Sequence, residues 1–193
     1  MKNIAVFASG SGTNFQAIMD SIQAGNLNAM ISLLVCDHPD AYVLERAKAA
    51  GVPSFAFKAK DYDSKEAYER EIIAELKKQG VQFIVLAGYM RLIGPTLLKE
   101  YEGRIVNIHP SLLPAFQGKD AIGQAMRYGV RVSGVTIHYV DEGMDTGPII
   151  AQQPVFIDPD DTKESFEAKI HAVEHKLYPA VLQMLFTQGG NEQ

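Results

Sequence analysis

The stretch Asn3-Ile4-Ala5-Val6-Phe7-Ala8-Ser9-Gly10-Ser11-Gly12-Thr13-Asn14-Phe15-Gln16-Ala17-Ile18-Met19 decides the fold class. Asn3–Ala8 is a short apolar run of the kind that forms a buried strand, and the glycines stop it. Phe15, Ile18, Met19 and Ile22 then recur at helical spacing, which predicts an amphipathic helix over Thr13–Gln23. A buried strand that passes through a glycine turn into a helix is the opening unit of an α/β sheet. The pattern continues outward. Met30–Cys36 reads as a strand, and Ala41–Ala50 as a helix stopped by Gly51 and Pro53. Ser54–Phe57 reads as a short strand. Ser64–Gln79 is the clearest helix, with Ser64 placed to cap it, Glu69 and Glu71 before Lys77 and Lys78, and Gly80 at its end. Val81–Ala87 and Arg104–Ile108 follow as buried strands.

Such alternation implies a parallel sheet with helices on both faces. The last third changes character. In Arg131–Val140, Val135, Ile137 and Tyr139 share one face while Thr136 and His138 share the other. Pro148–Ile157 is a second strand, and the compact link Asp141–Gly147 predicts an antiparallel pair. Thr162–Phe186 reads as a closing helix with a kink at Pro179, and Gly189–Gln193 as a frayed tail. The expected fold class is therefore α/β: an open, mostly parallel twisted sheet with helices on both faces and an antiparallel strand pair in the C-terminal part.

Composition narrows the function classes. The chain has 193 residues, 47% of them hydrophobic, which is too apolar for disorder and of a length suited to one domain, 1–193. Eighteen basic against 23 acidic side chains give a net charge of −5, which argues against a general nucleic-acid binder. A single cysteine, Cys36, leaves no partner for an intramolecular disulfide and reads as a small buried hydrophobe. No apolar run approaches a membrane span, so the expectation is a cytoplasmic protein with no membrane partner.

Three segments carry chemistry. Ser11, Gly12, Thr13 and Asn14 open the first helix, where free N–H groups and the helix dipole favour an anion. The turn lacks the lysine of a phosphate-binding Walker loop, and Phe15 stands where a dinucleotide fingerprint has its third glycine. A phosphate monoester therefore suits it better than a pyrophosphate; a tight turn with a purely structural role is the alternative. Next, Asn107 and His109 leave a buried strand two residues apart, so an extended chain puts both on one side, at the strand end where open α/β sheets bind ligands. An imidazole can move a proton near neutrality, and a carboxamide can donate to a developing oxyanion. Third, Asp141, Glu142 and Asp145 lie in the link between the last two strands. A carboxylate at Asp145 would favour a protonated His109 if the two meet; a solvated hairpin is the alternative, and the spacing does not match a calcium loop. His138 reads as a hydrogen-bonded neighbour. His171 and His175 are four apart, but Ala172 stands where a zinc helix would need glutamate, so no metal is expected.

Taken together, the residues resemble the glycinamide ribonucleotide formyltransferase family, the folate-dependent formyltransferases of purine synthesis. The likeness runs through Ser9–Asn14, Leu86-Ala87-Gly88-Tyr89-Met90-Arg91-Leu92-Ile93, Asn107-Ile108-His109-Pro110-Ser111-Leu112-Leu113-Pro114, Gly134–Val140, Asp141–Pro148 and Glu174-His175-Lys176-Leu177-Tyr178-Pro179. It implies the Rossmann-like formyltransferase fold, with a phosphate-binding half over 1–100 and a catalytic, folate-binding half over 101–193. It implies 10-formyltetrahydrofolate as co-substrate, glycinamide ribonucleotide as acceptor, and a monomer or homodimer. Asn107, His109 and Asp145 map onto the family's catalytic trio. The ribonucleotide maps onto Ser11, Gly12, Thr13, Asn14, His171 and Glu174. The folate maps onto Lys65, Met90, Arg91, Leu92, Ile93, Asn107, Val140, Asp141, Glu142 and Asp145, under a mobile loop at Phe116–Ile122. Methionyl-tRNA formyltransferase would need a further RNA-binding domain, for which the length leaves no room. Formyltetrahydrofolate hydrolase and a non-catalytic phosphate-binding module are the remaining alternatives.

Overall fold

The computed structural model describes residues 1–188; the tail Gly189–Gln193, expected to fray, lies outside the described residues. The elements run β1 (Lys2–Ala8), α1 (Thr13–Gln23), β2 (Ala29–Cys36), α2 (Val43–Ala49), β3 (Ser54–Ala56), α3 (Lys65–Lys78), β4 (Phe83–Leu86), α4 (Pro95–Glu100), β5 (Ile105–His109), α5 (Ala121–Tyr128), β6 (Val132–Tyr139), β7 (Ile149–Phe156) and α6 (Lys163–Gln188). The seven strands form a single sheet in the order β3-β2-β1-β4-β5-β6-β7. β1 to β5 are mutually parallel, while β6 runs antiparallel to both β5 and β7. The expected α/β architecture is therefore present, with two antiparallel pairings at its C-terminal edge instead of one.

The period-2 geometry of β1 sorts the core into two layers. Ile4, Val6 and Ala8 face a cluster that includes Phe15 and Ile18 of α1, Val43 and Ala47 of α2, Ile122 of α5 and Phe166, Ile170 and Leu182 of α6. Ala5 and Phe7 face the opposite cluster, with Tyr68, Ile72 and Leu76 of α3 and Leu97 of α4. Phe7, Phe15 and Phe166 are fully buried, each stabilising the fold by about 1.5–3 kcal/mol. Ser64 caps α3 as expected, its hydroxyl accepting from the Ala67 amide at 3.1 Å. No helix among the described residues is long and apolar enough to cross a membrane.

Some boundaries differ from the pattern-based expectation. α2 is shorter than Ala41–Ala50, and α6 continues through Pro179. α4 and α5 escaped the periodicity because they are only six and eight residues long. The first turn of α4 is held from outside. The buried Glu69 carboxylate of α3 accepts the Gly94 and Leu97 amides at 2.5 and 3.2 Å. The segment expected as a loop at Phe116–Ile122 ends earlier, since Ala121 and Ile122 belong to α5.

Candidate active site

The strand order places β1 between β2 and β4, so the connections after β1 and after β4 leave toward opposite edges of the sheet and open a crevice at the carboxyl ends of these strands. The glycine turn lines one end of it. Gly12 has φ 73°, and a Cβ there would run into the Val43 side chain, so both conformation and space call for glycine. Arg46 secures the turn by donating from Nε to the Ser11 carbonyl at 2.8 Å. No side chain caps α1. Asn14 donates to Glu174 Oε2 at 3.0 Å, while its own Oδ1 is buried without a partner. Burial pushes the Glu174 carboxyl above its usual value, and the Asn14 hydrogen bond partly offsets this. His175 Nε2 is also buried without a partner. The His175 ring stacks on His171, and burial, then the charges of His171 and Arg46, lower its pKa. Tyr178 sets the position of this part of α6, sharing its hydroxyl proton between the Leu86 and Val106 carbonyls at 2.8 and 3.2 Å. Buried polar atoms in folded proteins are nearly always paired, so the unpaired Asn14 Oδ1 in the uncapped first turn of α1 is an acceptor open to a donor.

The second cluster forms across the antiparallel ladder. Asn107 lies opposite His138, and His109 opposite Thr136. Asp145 comes from the β6–β7 link, with φ 56°, a left-handed conformation that Asp tolerates better than most residues. Its Oδ2 lies 3.4 Å from His109 Nδ1 and accepts the Gly118 amide at 2.8 Å. Its Oδ1 lies 3.6 Å from His138 Nε2 and 3.4 Å from Asn107 Nδ2. Burial alone would raise the Asp145 carboxyl. The close approach of His138, the Gly118 hydrogen bond and the charge of His109 outweigh it, so the net shift is downward.

Hydrogen-bond chemistry fixes the tautomers. His138 Nδ1 faces the Tyr139 carbonyl at 2.7 Å and must donate, so in a neutral ring Nε2 is bare and accepts from Asn107 Nδ2 at 3.1 Å. His109 Nε2 faces the Phe116 carbonyl at 2.9 Å and must donate there. A neutral His109 would then turn the Nδ1 lone pair toward the Asp145 carboxylate, whereas an imidazolium turns N–H toward it; the second arrangement is the attractive one. The loop that brings Phe116 back is anchored at both ends. Thr136 Oγ1 donates to the Ser111 carbonyl and accepts the Leu113 amide. Asp120, at the other end, is held at 2.9 Å by Arg127 and 2.8 Å by Lys163, which bring its carboxyl down to about 2.

The segment Met90–Ile93 follows β4. Met90 and Leu92 are 62% and 47% exposed, whereas Ile93 turns into the core at 7%. Lys65 Nζ donates to the Leu92 carbonyl at 3.0 Å, and Arg91 Nε pairs with Asp37 at 2.8 Å. Across the crevice, Asp141 Oδ1 accepts from the Gly143 amide and the Thr146 hydroxyl, which shapes the link that delivers Asp145, while Glu142 points to solvent.

The geometry thus brings Asn107, His109 and Asp145 together, and Asn14 to Glu174. His171 stands on the same helix, 4.0 Å from Glu167. Sequence reasoning missed the depth of involvement of His138, whose place opposite Asn107 needed the β5–β6 register. It also missed Asp37 and Arg46, which act on loops far away in sequence.

Comparison with known proteins gives the family. The formyl transferase family model matches residues 2–182. A phosphoribosylglycinamide formyltransferase of Bacillus subtilis (strain 168) is 59% identical, over 96% of this chain and 95% of the relative. Crystal structures superpose throughout. The phosphoribosylglycinamide formyltransferase from Bacillus halodurans has a TM-score of 0.96 at 59% identity, covering 99% of this chain and 98% of that one. Glycinamide ribonucleotide transformylase 1 from Geobacillus kaustophilus has a TM-score of 0.94 at 65% identity, covering 96% and 98%. A sheet that opens at this crevice, matched over nearly its whole length by enzymes of one activity, places the chain in the formyl transferase family, among the phosphoribosylglycinamide formyltransferases.

Proposed function

We propose that this enzyme moves the formyl group of 10-formyltetrahydrofolate onto the primary amine of glycinamide ribonucleotide. The observation that carries the reading is the convergence of Asn107, His109 and Asp145 at 3.4 Å contacts, at the same crevice as the glycine turn. The ribonucleotide phosphate sits on the α1 amides at Ser11–Asn14, with Glu174 and His171 toward the ribose. Glu174 accepts from a sugar hydroxyl, and the unpaired Asn14 Oδ1 finds its donor on the same ligand. Folate lies against the exposed Met90 and Leu92 side chains and the backbone of Ile93 and Val140–Asp145, including Asp141 and Glu142. Lys65 and Arg91 meet its glutamate carboxylates; Lys65 can do so only as a point charge, without the fork of an arginine. Each ligand would thus draw on both halves, since Met90–Ile93 precede residue 101 and Glu174 follows it.

The amine nitrogen attacks the formyl carbon and the carbonyl electron pair moves onto oxygen. His109 donates from Nε2, the formyl oxygen taking the place of the Phe116 carbonyl. Asn107 keeps one N–H on His138. Its other N–H makes only the long 3.4 Å contact to Asp145, outside the usual hydrogen-bond range, and turns to the oxyanion. Each such donor stabilises the intermediate by about 3–4 kcal/mol. Asp145 holds the imidazolium and orders a water that relays the proton the amine loses to N10; the oxyanion electron pair reforms the carbonyl as the bond from carbon to N10 breaks, so Asp145 is ionised before and after the step.

Supplying 10-formyltetrahydrofolate with and without glycinamide ribonucleotide tests the reading. Tetrahydrofolate release that requires the amine, with formylated ribonucleotide as product, is expected. Release without an acceptor would make the enzyme a hydrolase.

A further inference from the structure

One buried carboxylate joins the two ligand-facing loops without belonging to either. Asp37 follows β2, and its side chain is 1% exposed. Oδ2 accepts Arg91 Nε at 2.8 Å. Oδ1 accepts the Ser9 hydroxyl at 2.5 Å and the His38 ring nitrogen at 3.0 Å. Ser9 in turn accepts the Met90 amide at 2.9 Å. The carboxylate therefore grips the segment Met90-Arg91 twice, once directly and once through the residue that opens the glycine turn. Arg91 is held through Nε by Asp37, also meets the Tyr68 hydroxyl, and has a side chain 37% exposed, so terminal N–H groups remain for a carboxylate. Without that hold, an arginine beside open solvent samples many rotamers and loses them on binding.

We propose that Asp37 is the positioning residue of the folate-tail subsite: it aims Arg91 at the glutamate carboxylate of the co-substrate and fixes the backbone at Met90 from which Arg91 projects. The inference rests on the proposed function, because it takes folate as the ligand of that segment.

The test is steady-state kinetics with two formyl donors, 10-formyltetrahydrofolate and 10-formyltetrahydropteroate, which lacks the glutamate. For Asp37→Ala, KM for the glutamate-bearing donor is expected to rise about 10-fold, while the glutamate-free donor changes less than about 2-fold, the difference a charge-assisted hydrogen bond makes. Asp37→Asn keeps the shape and an acceptor oxygen, and gives the same selective pattern at about 3-fold, so the proposal stays testable if the alanine variant folds poorly. Combined with Arg91→Ala, Asp37→Ala adds nothing further to that KM. Equal rises for both donors, or full additivity with Arg91→Ala, would make Asp37 a structural residue only. A wild type that does not distinguish the donors removes the carboxylate subsite itself, and with it the reading beneath the inference. A wild type that distinguishes them, with variants that distinguish them equally, removes Asp37 alone.

Discussion

The two ends of the crevice are built by different means. At the glycine turn, parallel strands and an α1 start supply backbone N–H groups, Arg46 holds the backbone through the Ser11 carbonyl, and Glu174 holds the Asn14 side chain. At β5–β6, an antiparallel ladder supplies side chains. Asn107 and His138 meet through a 3.1 Å hydrogen bond, and the Asp145 carboxylate lies 3.4–3.6 Å from Asn107, His109 and His138. The first end suits a fixed charge that must be bound throughout turnover. The second suits a charge that appears and disappears within it, because imidazole and carboxylate can exchange protons and backbone amides cannot. Mutations at the two ends should therefore separate binding from rate.

The largest effect is expected at His109. His109→Ala should lower kcat by about 10³-fold with KM for the ribonucleotide nearly unchanged, since the oxyanion loses its charged hydrogen-bond donor and Asp145 loses its partner. Turnover close to wild type would remove the catalytic assignment. Asp145→Asn should lower kcat by about 10²-fold, because the imidazolium loses its counter-charge. It also has a signature in stability. The Asp145 carboxyl titrates below its unfolded value, so its ionised form contributes stability above the ordinary carboxylate range, lost as pH falls through the lowered folded value. Urea melts of Asp145→Asn should show that acid-side loss reduced; an unchanged profile would place the stabilising contacts elsewhere.

Smaller effects are expected at the other end, on KM. Asn14→Ala or Thr13→Ala should raise KM for the ribonucleotide about 10-fold and leave that for the folate alone. An unchanged ribonucleotide KM would reduce the turn to a purely structural one. The mildest change is Glu174→Gln. Glu174 titrates above its unfolded value, so the stability tied to its protonated form is present at low pH and lost as pH rises through the folded value. Above that folded value the wild type holds a disfavoured buried carboxylate. Glu174→Gln should therefore gain in unfolding temperature relative to wild type as pH rises, the gain vanishing in acid, while its ribonucleotide KM rises. A relative stability that falls with rising pH would show that the Asn14 contact outweighs burial.

The site was legible where chemistry is local. Gly12 announces a turn because nothing else adopts φ 73° against Val43, and Asn107 and His109 share a side because strand geometry alternates. It was illegible where one residue acts on another far along the chain. Glu69 starts a helix 25 residues later, Asp37 holds an arginine 54 residues away, and the Phe116 carbonyl occupies the His109 donor. Short helices such as α4 leave too few turns for a periodic signal, because external contacts and not propensity stabilise them.

By itself the sequence determined the strand–helix alternation, the glycine turn, the antiparallel ending and the residue types able to carry formyl transfer, since each depends on side-chain periodicity or on conformations open to one or two residues. Only the tertiary structure decided that Asp145 reaches His109, that His138 stands opposite Asn107, and that Asp37 joins two loops. Those contacts depend on sheet register, and register depends on how the whole core packs.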